Sequence, residues 1–535
     1  MKRPINLSPS LVLFIGLVIL WIPWLGETLF YSKGEPREAI VALSMLQSGD
    51  WILPVNYGTD IPYKPPFLAW LIAIFAEIFN GGVVNEFISR LPSAIAAIAM
   101  VMGGYFWARR ERGERFALVM SLVLATSVEV YRAAVACRVD MVLTACMVGA
   151  IYLLYRIQTD PGRGTAWRYI AATSLLTCAV LTKGPVGALL PCFVMGIYYL
   201  LSGERFLSTL ARMLGLSIAA CIIPAVWYYL AWLDGGDSFL ALVWEENFQR
   251  LTGTMPYESH VNPFWYNFQT IIVGMLPWTL LALMAIAARR HFKRQSLKPA
   301  GRLALTVIVV VTVFYCIPAS KRSVYLLPVY PFLAYAVASL AEGLKATRIN
   351  RIYTYIISAI AIVAPLFAIV TTFCPVAGFT MADAPWWAYI LLLLPPTAAI
   401  IWWLKNRDDS GILSAGVITT ALLTCYGGAL MPAAVNRLSD KADADRIEAI
   451  AGDNPIFVVG SDKNVANAYC INFYTGDRLR RLTGFTEAKS KPVGTVLIIP
   501  HATDTVGLPD TYRLDTLKRR LADTRRPAWI AIKVK

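Results

Sequence analysis

Long apolar runs separated by short charged connectors dominate this chain from about residue 9 to residue 430. Most of the runs are close to the roughly 20 residues that an α-helix needs to cross about 30 Å of hydrocarbon. The pattern predicts thirteen membrane-spanning helices, near residues 9–30, 90–108, 116–131, 140–156, 169–182, 185–201, 210–232, 270–289, 301–317, 323–342, 352–373, 387–404 and 411–430. The predicted fold class is therefore an α-helical polytopic membrane protein.

The apolar run at residues 66–80 differs from these spans. It is short, it follows Pro65 and includes Pro66, and it carries Glu77. A run of this length is more typical of a re-entrant or interfacial segment than of a span. We therefore expect residues 31–89 to form a loop on one side of the membrane. Within that loop, apolar positions at helical spacing between Pro36 and Leu46 predict an amphipathic helix that lies in the interface.

The distribution of charge orients the predicted spans. The chain has a formal charge of +15, and the connectors on one side of the membrane hold 22 Lys and Arg against 7 Asp and Glu. Connectors rich in Lys and Arg stay in the cytoplasm, so the loop at residues 31–89 and the tail at residues 431–535 are expected outside. Because the positive charge follows the topology, it is not evidence for a nucleic-acid partner.

The tail differs in composition from the rest of the chain. Three short β-branched stretches, "NPIFVVGSD", "VGTVLIIP" and "AWIAIKV", predict strands, and "DKADADRIEAIAG" predicts a helix that ends before Gly452. We expect two domains: a membrane domain at residues 1–430, which includes the outer loop, and a small extracytoplasmic α/β domain at residues 431–535.

The polar side chains on the predicted outer side are the candidates for chemistry. They are Glu35, Lys64, Arg138, Asp140, Lys183, His260, Lys321, Arg322 and Tyr325. Ammonium and guanidinium groups at a membrane boundary suit a lipid-linked phosphate, because they neutralise phosphate oxygens directly. A nearby carboxylate could accept the proton of an acceptor hydroxyl. Together these groups outline glycosyl transfer from a polyprenyl-phosphate sugar.

Each of these groups also has a plainer interpretation. Glu35 precedes a helix, where a carboxylate interacts favourably with the helix dipole whatever its other role. Arg138 and Asp140 could form an ordinary ion pair at the membrane edge. His260 could be a ligand, a base or an exposed side chain. Lys183, between two spans, is the candidate most typical of function, because ionisable groups at membrane depth are costly.

Several stretches resemble the integral-membrane glycosyltransferases of the GT-C fold, specifically the lipid A aminoarabinose transferases and the related protein mannosyltransferases. The resemblance covers roughly residues 20–335, in the family's order, through "GEPREAIVALSMLQSGDWILP", "YKPPFLAWL", "SRLPSAIAA", "CRVDMVL", "LTKGPVG", "NPFWYN", "MLPW" and "SKRSVYLLPVYP". It implies thirteen spans and an outer C-terminal domain, the same arrangement that the charge pattern predicts.

By position, the resemblance implies roles for five of the candidates. It places Glu35 at the acceptor-activating carboxylate and Asp140 at the second outer-loop aspartate. Lys64 corresponds to the lysine that approaches the donor phosphate. Tyr325 and Lys183 match a tyrosine near the lipid phosphate and the family's "TKGP" turn.

This chain departs from the family pattern at three positions. Gly34 replaces the aspartate of the family's usual Asp-Glu pair, and Glu38 stands where tyrosine is more common. Tyr63 replaces a glutamate that, in some aminoarabinose transferases, forms a metal site with an outer-loop histidine. His260 therefore lacks that partner, and we predict neither a metal nor another cofactor.

The sequence thus predicts an inverting, metal-independent glycosyltransferase of the bacterial inner membrane, with a periplasmic active site. Its donor would be a sugar on undecaprenyl phosphate, and its acceptor lipid A, another envelope glycan or a protein hydroxyl. The alternative from another class is a transporter or flippase of lipid-linked sugars. Transporters bind their cargo near the midplane between repeats, whereas these charges gather at one boundary.

Overall fold

A computed structural model describes most of the chain. The described residues are 8–62, 64–162, 164–249, 261–287, 297–343, 348–406, 411–460, 468–499, 507–516 and 529–534. The chain divides into two compact units, one formed by Met1–Leu25 with Pro92–Leu430 and the other by Gly26–Leu91 with Met431–Lys535.

The first unit is helical. Its helices are α1 (Pro9–Trp21), α4 (Glu86–Arg112, which begins in the second unit), α5 (Glu114–Ala125), α6 (Val128–Ala134), α7 (Val139–Thr159), α8 (Thr165–Lys183), α9 (Val186–Leu201), α10 (Phe206–Trp244), α11 (Tyr266–Gly274), α12 (Trp278–Ala287), α13 (Pro299–Cys316), α14 (Tyr330–Gly343), α15 (Arg348–Val370), α16 (Trp386–Lys405) and α17 (Gly411–Cys425). A 3₁₀ segment, Ser323–Val329, precedes α14. Aromatic and aliphatic side chains fill the helix interfaces, and Trp107 of α4 stacks on Tyr152 of α7 at a centroid distance of 5.0 Å.

The prediction of a polytopic helical membrane protein is confirmed. Within the described residues, eight helices are long and apolar enough to span a membrane, or ten if each of two bent pairs forms one span. The bent pairs are α5 with α6 and α11 with α12. The other three predicted spans correspond to α1, α8 and α9. Each predicted span therefore has a helix, and the total of thirteen crossings stays a prediction.

The second unit combines the predicted outer loop with the tail. The loop contributes α2 (Pro36–Ser48), which matches the predicted amphipathic helix, and α3 (Phe67–Asn80), which covers the short apolar run. Pro66 caps α3, so Lys64 lies just outside the helix. The sequence did not predict that Gly26–Leu91 groups with Met431–Lys535 as one compact unit.

The tail forms the small α/β fold that the sequence predicts. Its helices are α18 (Met431–Val435), α19 (Lys441–Ala451), α20 (Tyr469–Tyr474) and α21 (Phe485–Ala488). Its strands are β1 (Ile456–Val459), β2 (Leu479–Leu482), β3 (Val496–Ile499), β4 (Tyr512–Thr516) and β5 (Trp529–Lys533), in the order β2-β1-β3-β5-β4. Strands β1, β2 and β3 are parallel, and β5 pairs antiparallel with β3 and β4. The sequence pattern predicted β1, β3, β5 and α19 but missed β2 and β4.

A buried polar network joins the outer loop to the tail inside the second unit. The Asp477 carboxylate accepts hydrogen bonds from the Ser44 hydroxyl at 2.8 Å and the Tyr57 backbone N–H at 3.1 Å. The Asn472 side chain donates to the same carboxylate at 2.7 Å. Buried polar groups are costly unless they are paired, so this network fixes the loop against α20. Burial of the Tyr57 side chain raises the pKa of its hydroxyl well above the ordinary value.

Candidate functional site

Asp140 and Lys183 form an ion pair at one end of two neighbouring helices. Asp140 lies in the first turn of α7, Lys183 is the last residue of α8, and the two helices pack together. Lys183 Nζ lies 2.5 Å from Asp140 Oδ1, and Asp140 is 6% exposed. The helix dipole favours a negative charge at the start of α7, where Asp140 lies, and a positive charge at the end of α8, where Lys183 lies. Two residues 43 positions apart are therefore brought together.

Tyr325 completes this group. Lys183 Nζ lies 4.3 Å from the centre of the Tyr325 ring, a distance at which the ammonium and the aromatic face attract. The Tyr325 ring packs in turn against Tyr315 of α13, with 5.4 Å between ring centres. The Lys183 ammonium is thus held between a carboxylate and an aromatic face. We call Asp140, Lys183 and Tyr325 the membrane-unit cluster.

Three further predicted cations have distinct environments. Lys321 is 5% exposed, and its ammonium donates to the Pro318 carbonyl at 2.6 Å. Arg322 is half-buried and caps the 3₁₀ segment that carries Tyr325. Arg138 is half-buried at the N-cap of α7, one helical turn or less from Asp140. Arg138 and Asp140 are therefore neighbours at the start of α7, and Asp140 forms an ion pair with Lys183.

A second ion pair in the same unit was not predicted. Arg132 binds the carboxylate of Glu129 on α6 with both ends of its guanidinium, at 2.6 and 3.0 Å. Arg132 also donates to the Ser323 hydroxyl at 3.0 Å, next to the Tyr325 segment. The Asp140 and Arg132 charges are close enough to interact. The "EVYR" stretch carried this signal, as an acid and a base spaced for one face of a helix.

The second unit holds a separate group of charges around the start of α2. Glu35 is the N-cap residue, and both of its carboxylate oxygens accept from Arg90, at 2.8 Å from Nε and 3.0 Å from Nη2. Arg90 is 3% exposed, donates a further bond to the Thr28 carbonyl, and lies 5.0 Å from the centre of the Phe30 ring. The sequence assigned no role to Arg90, although it lies in the "SRLPSAIAA" stretch.

Glu38 pairs with the predicted phosphate lysine. Its Oε1 accepts from Lys64 Nζ and from Arg37 Nη2, the latter at 3.2 Å. Glu38 is 8% exposed, whereas the Lys64 side chain is 19% exposed. Lys64 therefore belongs to a charged group that includes Glu38, the acid at which this chain departs from the family pattern. We call Glu35, Arg37, Glu38, Lys64 and Arg90 the α2 cluster.

Two predictions lie beyond the described residues. His260 and Tyr63 fall in parts of the chain that the structure does not describe. Among the described residues, no three His, Cys, Asp or Glu side chains group in a way that could hold a metal ion. The prediction that all the candidate side chains meet one lipid head group stays a prediction.

The sequence is similar to known glycosyltransferases. A profile of the dolichyl-phosphate-mannose-protein mannosyltransferase family matches residues 63–229. Undecaprenyl phosphate-alpha-4-amino-4-deoxy-L-arabinose arabinosyl transferases from Shewanella sediminis and Pectobacterium carotovorum are 27% and 28% identical over 65% and 66% of this chain. The aligned part spans 62% of the length of each. An uncharacterized protein of Aquifex aeolicus is 26% identical over 66% of the chain and 68% of its own length.

The fold is shared with a solved structure. The crystal structure of ArnT from Cupriavidus metallidurans bound to undecaprenyl phosphate matches with a TM-score of 0.75 and 22% identity, over 98% of both chains. Its apo state matches with a TM-score of 0.74 over 97% of both chains. The predicted resemblance is thereby confirmed: this multi-span membrane protein has the GT-C fold and resembles the aminoarabinose transferases and protein mannosyltransferases.

Proposed function

We propose that this protein is an inverting glycosyltransferase that moves a sugar from a polyprenyl-phosphate donor, undecaprenyl phosphate, to lipid A or a related envelope acceptor. The reaction would take place on the periplasmic face of a bacterial inner membrane. The similarity to undecaprenyl phosphate-alpha-4-amino-4-deoxy-L-arabinose arabinosyl transferases supports the donor class. The excess of Lys and Arg in the opposite connectors supports the orientation.

The observation that carries the proposal is the membrane-unit cluster. It combines a buried carboxylate, an ammonium 2.5 Å away and an aromatic face, at the end of two helices that contact each other. An anionic lipid head group reaches the ends of helices, whereas a transported cargo must reach the midplane. The cluster therefore supports binding of a lipid-linked phosphate at the membrane boundary rather than passage through the bundle.

Lys183 is the proposed ligand of the donor phosphate. An ammonium near the phosphate oxygen stabilises the negative charge that develops as the bond between the anomeric carbon and the phosphate breaks. Asp140 holds Lys183 in place, because its carboxylate is buried and lies at the favourable end of α7. Tyr325 covers the ammonium from one side and limits its access to water.

The carboxylates that the sequence predicts for the reaction are Glu35 and Asp140, and we propose Asp140 as a positioning residue. Asp140 acts through Lys183 in the arrangement described above. For Glu35, the bidentate bond to Arg90 restricts the direction from which an acceptor could approach.

The test is a transfer reaction with purified protein. The protein would be incubated with a panel of undecaprenyl-phosphate sugars and with lipid A, an envelope glycan fraction or a protein acceptor. Mass spectrometry would identify the product, and the expected result is lipid A heavier by one sugar residue. If no donor and acceptor pair yields a product while the folded protein binds undecaprenyl phosphate, the proposed function is wrong.

A further inference from the structure

Glu129 is a nearly buried acid at the start of α6. It is 5% exposed, and it lies in the first turn of a helix that forms half of a bent pair in the helical unit. It pairs with Arg132, one turn further along the same helix, whose side chain is 52% exposed. An exposed helical ion pair contributes little to stability, whereas burying a carboxylate is costly. The stability of α6 therefore does not explain why an acid is buried here.

The close packing around Glu129 fixes its position. A Cβ atom built at Gly274, at the end of α11, would lie 2.9 Å from Glu129 Cβ and would overlap the Tyr330 hydroxyl. The lack of a side chain at Gly274 therefore lets α11 approach α6 closely. The Tyr330 hydroxyl donates in turn to the Thr270 carbonyl of α11 at 3.3 Å. Glu129 is thus held between several elements, and its two hydrogen bonds hold the Arg132 guanidinium in one place.

Arg132 and Lys183 approach the same 3₁₀ segment. Arg132 Nη2 donates to the Ser323 hydroxyl at 3.0 Å, at the first residue of that segment. Two residues later, the centre of the Tyr325 ring lies 4.3 Å from Lys183 Nζ. Asp140, the partner of Lys183, is also close enough to interact with the Arg132 charge. Two cations, each bound to a nearly buried carboxylate, therefore lie at the same end of the helical unit.

The Arg132 guanidinium retains hydrogen-bonding capacity. Its bonds to Glu129 and Ser323 use Nε and Nη2. Among the residues that the structure describes, none accepts a hydrogen bond from the two N–H groups of Nη1. Guanidinium N–H groups form strong, charge-assisted hydrogen bonds to phosphate oxygens. Because about half of the side chain is exposed, Nη1 is the edge at which a phosphate can bind.

The transfer reaction creates a charge that a second cation would stabilise. The donor is a phosphodiester with one negative charge. As the acceptor oxygen forms a bond to the anomeric carbon, its proton passes to a general base, and the bond from that carbon to the phosphate oxygen breaks. The electron pair stays on the phosphate, so the product, undecaprenyl phosphate, is a monoester with about 1.5–2 negative charges at pH 7. A cation that binds the monoester more tightly than the diester stabilises the transition state more than the bound donor.

We propose that Arg132 is a second ligand of the phosphate, beside Lys183, and that it acts mainly on the charge that appears as the donor bond breaks. This inference rests on the proposed function and adds a residue to its phosphate site. Lys183 binds the donor phosphate before the reaction, and Arg132 binds the additional charge of the departing undecaprenyl phosphate. Glu129 is a positioning residue, because it acts through Arg132.

The test compares two phosphate esters that differ by one charge. Binding of undecaprenyl phosphate, the monoester, and of undecaprenyl methyl phosphate, the diester, would be measured with the purified full chain in nanodiscs at pH 8. R132M is expected to weaken binding of the monoester about 10–100-fold, the value of a hydrogen bond to a charged group, and binding of the diester about 3-fold or less. K183M should weaken binding of both esters. The rate of single-turnover transfer by R132M should fall by roughly the same factor as its monoester binding.

Two further variants separate a phosphate contact from a structural role. R132K keeps the positive charge but not the planar guanidinium, so its affinity for the monoester should lie between those of R132M and the wild type. R132K also decides the question if R132M does not fold, because it must lose more affinity for the monoester than for the diester. R110M is the matched control: Arg110 is a similarly exposed arginine, 49% against 52%, and pairs with the Asp160 carboxylate at 2.8 Å. R110M should bind both esters as the wild type does.

The outcomes distinguish this inference from the proposed function. An equal loss of affinity for both esters in R132M would indicate a structural role and overturn the inference, and so would unchanged binding of the monoester. If the wild-type protein transfers sugar and R132M does so at the same rate, the assignment of Arg132 is wrong and the proposed function stands. If R132M loses affinity for the monoester alone while the wild-type protein yields no product with any donor and acceptor, the phosphate site stands and the proposed function has failed.

Discussion

Replacement of Arg90 by methionine tests the structural role of the Glu35–Arg90 pair. The variant R90M removes two hydrogen bonds to the Glu35 carboxylate and one to the Thr28 carbonyl, while keeping an apolar side chain of similar length. Glu35, which is nearly buried, would lose the guanidinium that binds both of its carboxylate oxygens. We therefore expect R90M to destabilise the unit formed by Gly26–Leu91 and Met431–Lys535.

The expected magnitude follows from the burial of the pair. Removing one partner of a buried ion pair costs about 3–5 kcal/mol. A unit of about 150–250 residues loses about 2–4 °C in melting temperature per kcal/mol. R90M should therefore lower the melting temperature by roughly 6–20 °C. The double variant E35L/R90M removes both charges and should recover most of the loss, because apolar replacement of a whole buried pair is often neutral.

The assay is thermal unfolding of detergent-solubilised protein, followed by tryptophan fluorescence. The matched control is R446M, which breaks the ion pair of Arg446 with Asp515 in the same unit. That pair is about one-third to one-half exposed, with side chains at 35% and 45%, and exposed pairs contribute little to stability. The reasoning would be refuted if R90M had the same melting temperature as R446M. It would also be refuted if the double variant had a lower melting temperature than R90M.

Two further predictions concern binding and topology. K183M should weaken undecaprenyl phosphate binding roughly 10–100-fold, the value of a hydrogen bond to a charged group, whereas K405M, which removes an exposed lysine of α16, should leave a direct binding assay unchanged. In intact cells, an impermeant thiol reagent should label T59C in the outer loop but not S208C in the predicted cytoplasmic connector, and the reverse pattern would contradict the topology.

Much of the fold could be predicted because the bilayer imposes its own length scale. Each predicted span corresponds to a helix, and α3 begins directly after Pro65 and Pro66. That α3 lies outside the membrane-crossing spans stays a prediction. In the tail, β1, β3 and β5 were found because each is a continuous apolar or β-branched run. Strand β2, "LRRL", has two arginines at its centre, so its own sequence does not predict a strand. It forms a strand by pairing with β1.

The pairing of charges could not be predicted in the same way. Arg90 is 55 positions from Glu35, and Lys64 is 26 positions from Glu38. A sequence pattern shows which residue types lie on one helix face. Which side chains meet between two helices depends on how those helices pack in the folded protein. For that reason the sequence placed Glu35 and Lys64 among the candidates without giving their partners. The residues Glu129 and Arg132 were missed although their spacing was visible, because an ordinary helical ion pair has the same spacing.

The most direct test of the account follows the fate of the donor sugar in sealed proteoliposomes. The vesicles would carry undecaprenyl phosphate bearing an isotopically labelled sugar, with and without lipid A. We predict that the label becomes covalently attached to lipid A with inverted anomeric configuration, and that D140N and K183M abolish this product. Movement of the intact labelled donor to the other leaflet, with no labelled lipid A, would instead identify a transporter and contradict the account.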